Sequence, residues 1–232
     1  MEVFSQTLVG SNYMGDFYIH CFIKFGSKST ITDLFENGTI YCNPVQYFKT
    51  LEDKFRGDNY EGASYIHNLP PGQFKVSIAG KPIDREFNYL NLHLKESYEK
   101  SLGNIFSLYC LSSQKLRGDK PVTIDKRIKD FGDTALLIKD NPKFLNLIEK
   151  ALEKKKLKFF HGLVEYYDRS IYTGKVDVFN KPSEYAYQNE FRIYVRRKSD
   201  EPLKLHIGSL KDIAEIYPAN EFIDTFEATE KK

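Results

Sequence analysis

Short apolar runs and period-two alternation, more than long helical stripes, organise this chain. Phe17 to Phe25 is apolar or aromatic at most positions and reads as a largely buried strand. Phe17, Ile19, Cys21 and Ile23 share one face, and Tyr18, His20, Phe22 and Lys24 the other. Ser27 to Thr30 supplies helix N-cap candidates, with capping-box spacing from Thr30 to Asp33, and the stripe Ile31, Leu34, Phe35 stops at Asn37-Gly38. Thr39 to Cys42 reads as a brief strand, and Asn43-Pro44 as a helix start with Tyr47, Phe48 and Leu51 on one side. Glu52 to Gly62 is a polar loop. Phe74, Val76 and Ile78 alternate before a turn at Ala79 to Pro82, whereas Glu86 to Ser101 fits strand and helix alike.

Asn104 to Ser112 is a near-continuous apolar run and predicts a central strand, with another at Thr134 to Lys139. Asn141-Pro142 opens an amphipathic helix of about three turns carrying Phe144, Leu145, Ile148 and Leu152. Leu157 to Tyr167, Glu190 to Arg197 and Leu203 to Ile207 read as strands. A helix capped by Ser209, with Leu210, Ile213 and Ile216 inward, and a frayed tail at 227–232 complete the chain. The irregular mixture predicts one α+β domain over residues 1–232: a mixed, mostly antiparallel sheet with short helices packed on it, not the βαβ alternation of a doubly wound fold.

Composition changes this picture little. Net charge is +2 with both signs interspersed, which argues against a dedicated nucleic-acid binder. Sixteen Tyr and 18 Phe with no Trp suit an aromatic core, or an aromatic-lined nucleotide cleft. Cys21, Cys42 and Cys110 are odd in number, far apart and in apolar context, as expected of reduced thiols in a cytoplasmic protein. No run approaches 18 apolar residues and no signal-peptide order is present, so no membrane association is expected. Walker, G-x-G-x-x-G and nucleophile-elbow motifs are missing, and His67, His93, His161 and His206 lack mutual metal-ligand spacing.

The chemistry concentrates in Lys181 to Val195. Read as a strand from Ala186 to Arg197, this stretch points Gln188, Glu190, Arg192 and Tyr194 one way and Asn189, Phe191, Ile193 and Val195 the other. A solvated face of an antiparallel sheet would show the same row. The Gln188-Asn189-Glu190 pattern resembles the ADP-ribosyltransferase superfamily, which places a Glu near the start of a late strand with Gln or Glu two residues before it. The resemblance implies NAD as substrate. Glu190 would hold a ribose hydroxyl and favour the cationic sugar formed as nicotinamide leaves, and Gln188 would position the acceptor. It further implies His20, beside Tyr18, as the early-strand residue holding NAD, Ser107 as the brace on the middle strand, and Tyr185 or Tyr187 stacking near nicotinamide. The block Lys181, Tyr185, Gln188, Glu190, Phe191, Arg192 is also similar to uncharacterised bacterial and phage domains, with Gln in place of the first acid. That likeness implies a toxin, defence or counter-defence setting and adds Arg192 to the cofactor site.

Three readings follow. The first is transfer of ADP-ribose from NAD to a protein, a nucleic acid or water, with no metal. The second is a non-catalytic protein that binds a nucleotide or a partner, as a phage inhibitor or defence sensor would. The third is a metal-dependent nuclease combining Glu190 with Asp58 and Glu61 from the acidic loop that also holds Glu52 and Asp53.

Overall fold

A helix inserted between the first two strands decides the architecture. The computed structural model describes residues 18–50, 60–78, 80–97, 103–117 and 120–229. Strand β1 (Ile19–Gly26) runs into helix α1 (Lys28–Asn37), and of the cap candidates it is Ser27 whose side chain accepts from the Thr30 amide. The helix closes at Gly38, left-handed at φ 64°. Next come β2 (Thr39–Pro44) and the short α2 (Val45–Thr50). Four strands then make a ribbon, with β3 (Ala63–Leu69) paired to β6 (Leu92–Ser97) and, beyond them, β4 (Gly72–Ile78) paired to β5 (Lys81–Tyr89).

The central strand is β7 (Asn104–Ser112), followed by α3 (Ser113–Leu116), a 3-10 segment at Lys126–Phe131 and β8 (Thr134–Ile138). Helix α4 (Asn141–Lys154) is capped by Asp140 rather than Asn141 and, at 14 residues, is one turn longer than expected. Beyond it lie β9 (Phe159–Leu163), β10 (Glu165–Tyr167), β11 (Gly174–Lys175), β12 (Asn180–Pro182), a second 3-10 segment (Ser183–Gln188) and β13 (Glu190–Val195). The C-terminal elements are β14 (Leu203–His206), β15 (Ala214–Pro218) and α5 (Ala219–Thr225).

The molecule is α+β, and its described strand pairs are antiparallel except β10 with β12. β7 pairs along one edge with β13, over Asn104 to Tyr109. Its other edge is shared: β1 takes Tyr109 to Ser112, and β2 takes only Asn104 and Ile105. Because α1 lies between them in the chain, β1 and β2 leave this edge in different directions, and the sheet splits over Phe106 to Leu108. One face packs Phe22, Leu136, Phe191 and Ile193 under α1 and α4, with Phe144 wholly buried. The other packs Ile23, Phe25 and Tyr109 against Ile128 and Ile223 from the 3-10 segment and α5.

Three expectations change. Residues 209–216 are not a helix: Ala214 to Pro218 pair with Ile138 to Thr134 as a strand, and the helix starts only at Ala219. The spacing of Leu210, Ile213 and Ile216 suits a helix, but Ile216 is 36% exposed, because the backbone there completes the open edge of β8. The expected strand Leu157 to Tyr167 breaks in two at Val164, whose amide bonds to the Glu190 carbonyl. The tail is tied down as far as Ala228, which forms a two-bond bridge with Val122, and 230–232 lie outside the described residues. The ambiguous stretch after Glu86 is strand to Tyr89 and again from Leu92 to Ser97.

The turn from α1 into β2 requires a close approach at Gly38, where a built Cβ would collide with the Gly208 carbonyl and the φ is one that L side chains rarely adopt. Gly38→Ala is therefore expected to destabilise the fold by about 1–3 kcal/mol in urea titration. Gly80, left-handed at the ribbon tip with nothing within 4 Å, is the control: alanine there costs less, since only its own φ is strained.

Candidate functional site: a cleft floored by buried charges

The split in the sheet opens into a cleft of about 900 Å³. β1 contributes Ile23 and Phe25 to its wall, β2 contributes Thr39, Tyr41 and Asn43, and the stretch of β7 left open on its β1/β2 edge forms the base. Register places Ile23, Tyr109 and Glu190 in one row across three strands, so Glu190 faces the same side as the cleft wall. Glu190, Arg192, Gln188 and Lys181 line the floor.

Period two predicts the orientation of β13 well: Phe191, Ile193 and Val195 enter the main core, and Glu190 and Arg192 turn to the opposite face. That polar face is not solvated. Glu190 is 6% exposed and Arg192 2%. The Arg192 Nε donates to Glu190 Oε1 at 2.7 Å, while Nη1 and Nη2 grip Glu61 Oε1 and Oε2 at 2.9 and 2.8 Å, a bidentate pair. Nη1 also donates to the Val178 carbonyl. On the other side, the Lys181 ammonium donates to Glu190 Oε2 at 3.0 Å and to Gln188 Oε1 at 2.7 Å. Glu61, Lys181 and Gln188 are themselves buried.

Burial alone would raise the Glu190 carboxyl, but the Arg192 and Lys181 charges, with hydrogen bonds from Arg192 and Ser107, outweigh it and hold Glu190 well below the usual carboxylate range. Arg192 is pushed above its usual value in the same way, burial being overcome by Glu190 and Glu61. Behind the row, the Tyr166 hydroxyl accepts the Glu190 amide at 3.0 Å, and burial followed by the Glu190 charge pushes that phenol up. Burial also pushes the Cys42 and Cys110 thiols up to about 12, so neither is a thiolate at neutral pH.

Gln188 reaches the site by a different route from the one its spacing implies. It ends the 3-10 segment, and Asn189 follows in the left-handed region at φ 39°, so the strand begins only at Glu190. Asn tolerates this conformation, and its Nδ2 donates to the Tyr109 hydroxyl at 2.9 Å. Gln188 is thus brought beside Glu190 by their shared Lys181 and not by a pleat.

Ser107 joins Glu190 and Arg192 at the floor. Tyr187 and Tyr185 stand next to the network without lining the cleft: the Gln188 amide donates to the Tyr187 hydroxyl at 3.4 Å, and Lys181 lies 5.1 Å from the Tyr185 ring. His20 and Tyr18 are not brought to the cleft. Both are exposed at the start of β1, His20 in a bulge between Ile19 and Cys21. The first-strand cation at the cleft is Lys24, whose Nζ donates to the Ser107 carbonyl at 2.7 Å in the split. Its position follows from the divergence of β1 and β2, which local pattern does not encode.

Among the described residues no three His, Cys, Asp or Glu side chains gather as a metal site, and Glu52, Asp53 and Asp58 lie outside them. Glu61 and Glu190 do converge, but Arg192 fills the space between them. No helix among the described residues is long and apolar enough to cross a membrane. Comparison of the chain with family models, curated proteins and solved structures finds no match.

The acid limb of stability tests this network. Glu190 titrates lower folded than unfolded, so its contribution is present above the unfolded value of about 4.3 and is lost as pH falls toward the folded one. The melting temperature of the wild type should drop more steeply below about pH 4.3 than that of Glu190→Gln, which has no proton to take up there. Equal acid slopes would contradict the buried-pair assignment.

Proposed function

We propose that this chain is an ADP-ribosyltransferase or NAD glycohydrolase of the ADP-ribosyltransferase-like kind, with NAD lying in the cleft and Glu190 beneath its nicotinamide ribose. The observation that carries the reading is the position of Glu190: a buried, ionised carboxylate on the floor of a cleft whose volume suits a dinucleotide. An ionised carboxylate offers about four lone-pair sites, and Arg192, Lys181 and Ser107 account for three. A ribose hydroxyl is the natural fourth donor.

In the proposed step the bond between ribose C1′ and the nicotinamide nitrogen breaks, and nicotinamide leaves neutral with the electron pair. The sugar becomes an oxocarbenium ion facing the carboxylate. Water or an acceptor nucleophile then bonds to C1′ and gives up its proton. Glu190 favours the cation selectively, because the positive charge on the sugar develops only as the bond breaks. In this reading Lys24, which lines the cleft while bonded to the Ser107 carbonyl, takes the place of His20 as the first-strand cation. The buried, protonated thiols suit a reducing cytoplasm, and the setting proposed is a toxin, defence or counter-defence role.

A second reading, nucleotide binding without turnover, is favoured by one specific observation. Both Glu190 oxygens already bear cations, and Glu61, Arg192, Glu190 and Lys181 together sum to zero charge.

Chromatographic assay of nicotinamide released from NAD separates the two. The transferase reading expects release that falls about 10²-fold or more in Glu190→Gln while the variant still melts cooperatively. Micromolar binding of NAD by calorimetry with no release favours the sensor, and neither binding nor release rejects both.

A further inference from the structure

Glu61 stands outside the sheet, in the turn that opens the ribbon, 131 residues before the arginine it grips. It is 4% exposed, and burying a carboxylate this thoroughly is costly unless its partner is held in return. The geometry shows what is held. A guanidinium is a planar fork, so fixing Nη1 and Nη2 on Glu61 fixes the direction of Nε, which is the nitrogen that meets Glu190 Oε1. Glu190 carries two cations at contact distance, Arg192 and Lys181, and without a second carboxylate the floor would hold one net positive charge. A positive floor opposes a cationic sugar.

We infer that Glu61 is a positioning residue for Glu190, acting through Arg192: it aims the guanidinium and cancels the surplus positive charge of the cleft floor. This rests on the NAD-cleaving reading of the cleft. It also makes the foot of the ribbon part of the site, since Glu61 lies two residues before β3 and in the same turn as Tyr60, which packs with Ala63, Ile66 and Tyr167 in a separate small cluster.

The test compares Glu61→Gln with the double variant Glu61→Gln/Arg192→Gln. The single variant keeps the shape of the side chain but leaves the floor at one net positive charge; the double variant returns it to zero. The expectation is a fall in kcat for nicotinamide release of about 10²-fold in Glu61→Gln, with KM for NAD within about threefold. In the double variant kcat recovers about tenfold from that level, because neutrality is restored although the clamp is gone. A purely structural role predicts the reverse, with the double variant no better than the single one and the loss tracking melting temperature. If Glu61→Gln does not fold, the double variant decides alone: kcat within about tenfold of wild type supports the inference, and a fall of about 10²-fold or more, to the Glu190→Gln level, overturns it. Release that Glu190→Gln abolishes and Glu61→Gln leaves unchanged rejects the inference alone. No release by the wild type rejects the underlying reading, and the inference with it.

Discussion

The buried arginine on β13 is the constraint on which the rest of the site depends. Arg192 cannot shed its proton, so its burial requires anions at hydrogen-bond distance, and the fold supplies two from segments far apart in the chain. Glu190 comes from the same strand face, two residues away. Glu61 comes from the turn before the ribbon, and the Val178 carbonyl from the stretch that leads into β12. Removing one acid leaves an uncompensated charge in the interior, which elsewhere costs about 3–5 kcal/mol. The network therefore holds two separate parts of the chain, the Glu61 turn and the stretch leading into β12, against the sheet while it also builds the floor of the cleft.

The shape of the cleft above the network has a separate cause. A sheet with β1 and β2 both paired along the whole edge of β7 would have no cleft. The ten residues of α1 carry the chain away from β1, and β2 returns to β7 only at Asn104 and Ile105. The exposed edge between them is met by the Lys24 ammonium on the Ser107 carbonyl, so a polar side chain occupies the split where a strand would otherwise add. Aromatic residues Tyr41 and Tyr47, both substantially exposed, flank the opening.

Much of this fold is legible in the sequence, and the failures have physical causes. β7 begins and ends where its apolar run does, and the alternation of β13 gives the correct inward face, because burial on one side enforces period two. Ala214 to Pro218 misleads because three apolar residues at helical spacing do not reveal an open strand edge waiting elsewhere. Gln188 to Glu190 misleads in a subtler way. The pair is two residues apart and adjacent in space, yet through a left-handed Asn189 and a shared lysine. A place on the first strand points to His20, but with the bulge at its position and the split it is Lys24 that lines the cleft. Glu61 is visible in sequence only as one acid among several in a polar loop; its pairing with Arg192 is a long-range fact.

Neutrality summed over four groups does not mean a neutral cleft, and distance decides which description governs the chemistry. With an effective dielectric of about 20, a sugar cation roughly 3 Å from a Glu190 oxygen gains about 5 kcal/mol of attraction, while two cations roughly 6 Å away each return about 3. Those terms nearly cancel. A second carboxylate roughly 8 Å away adds about 2 kcal/mol of attraction, which on this scale is the margin by which the floor favours a cation. On the proposed reading, a term of this size from Glu61 would decide between the transferase and sensor alternatives.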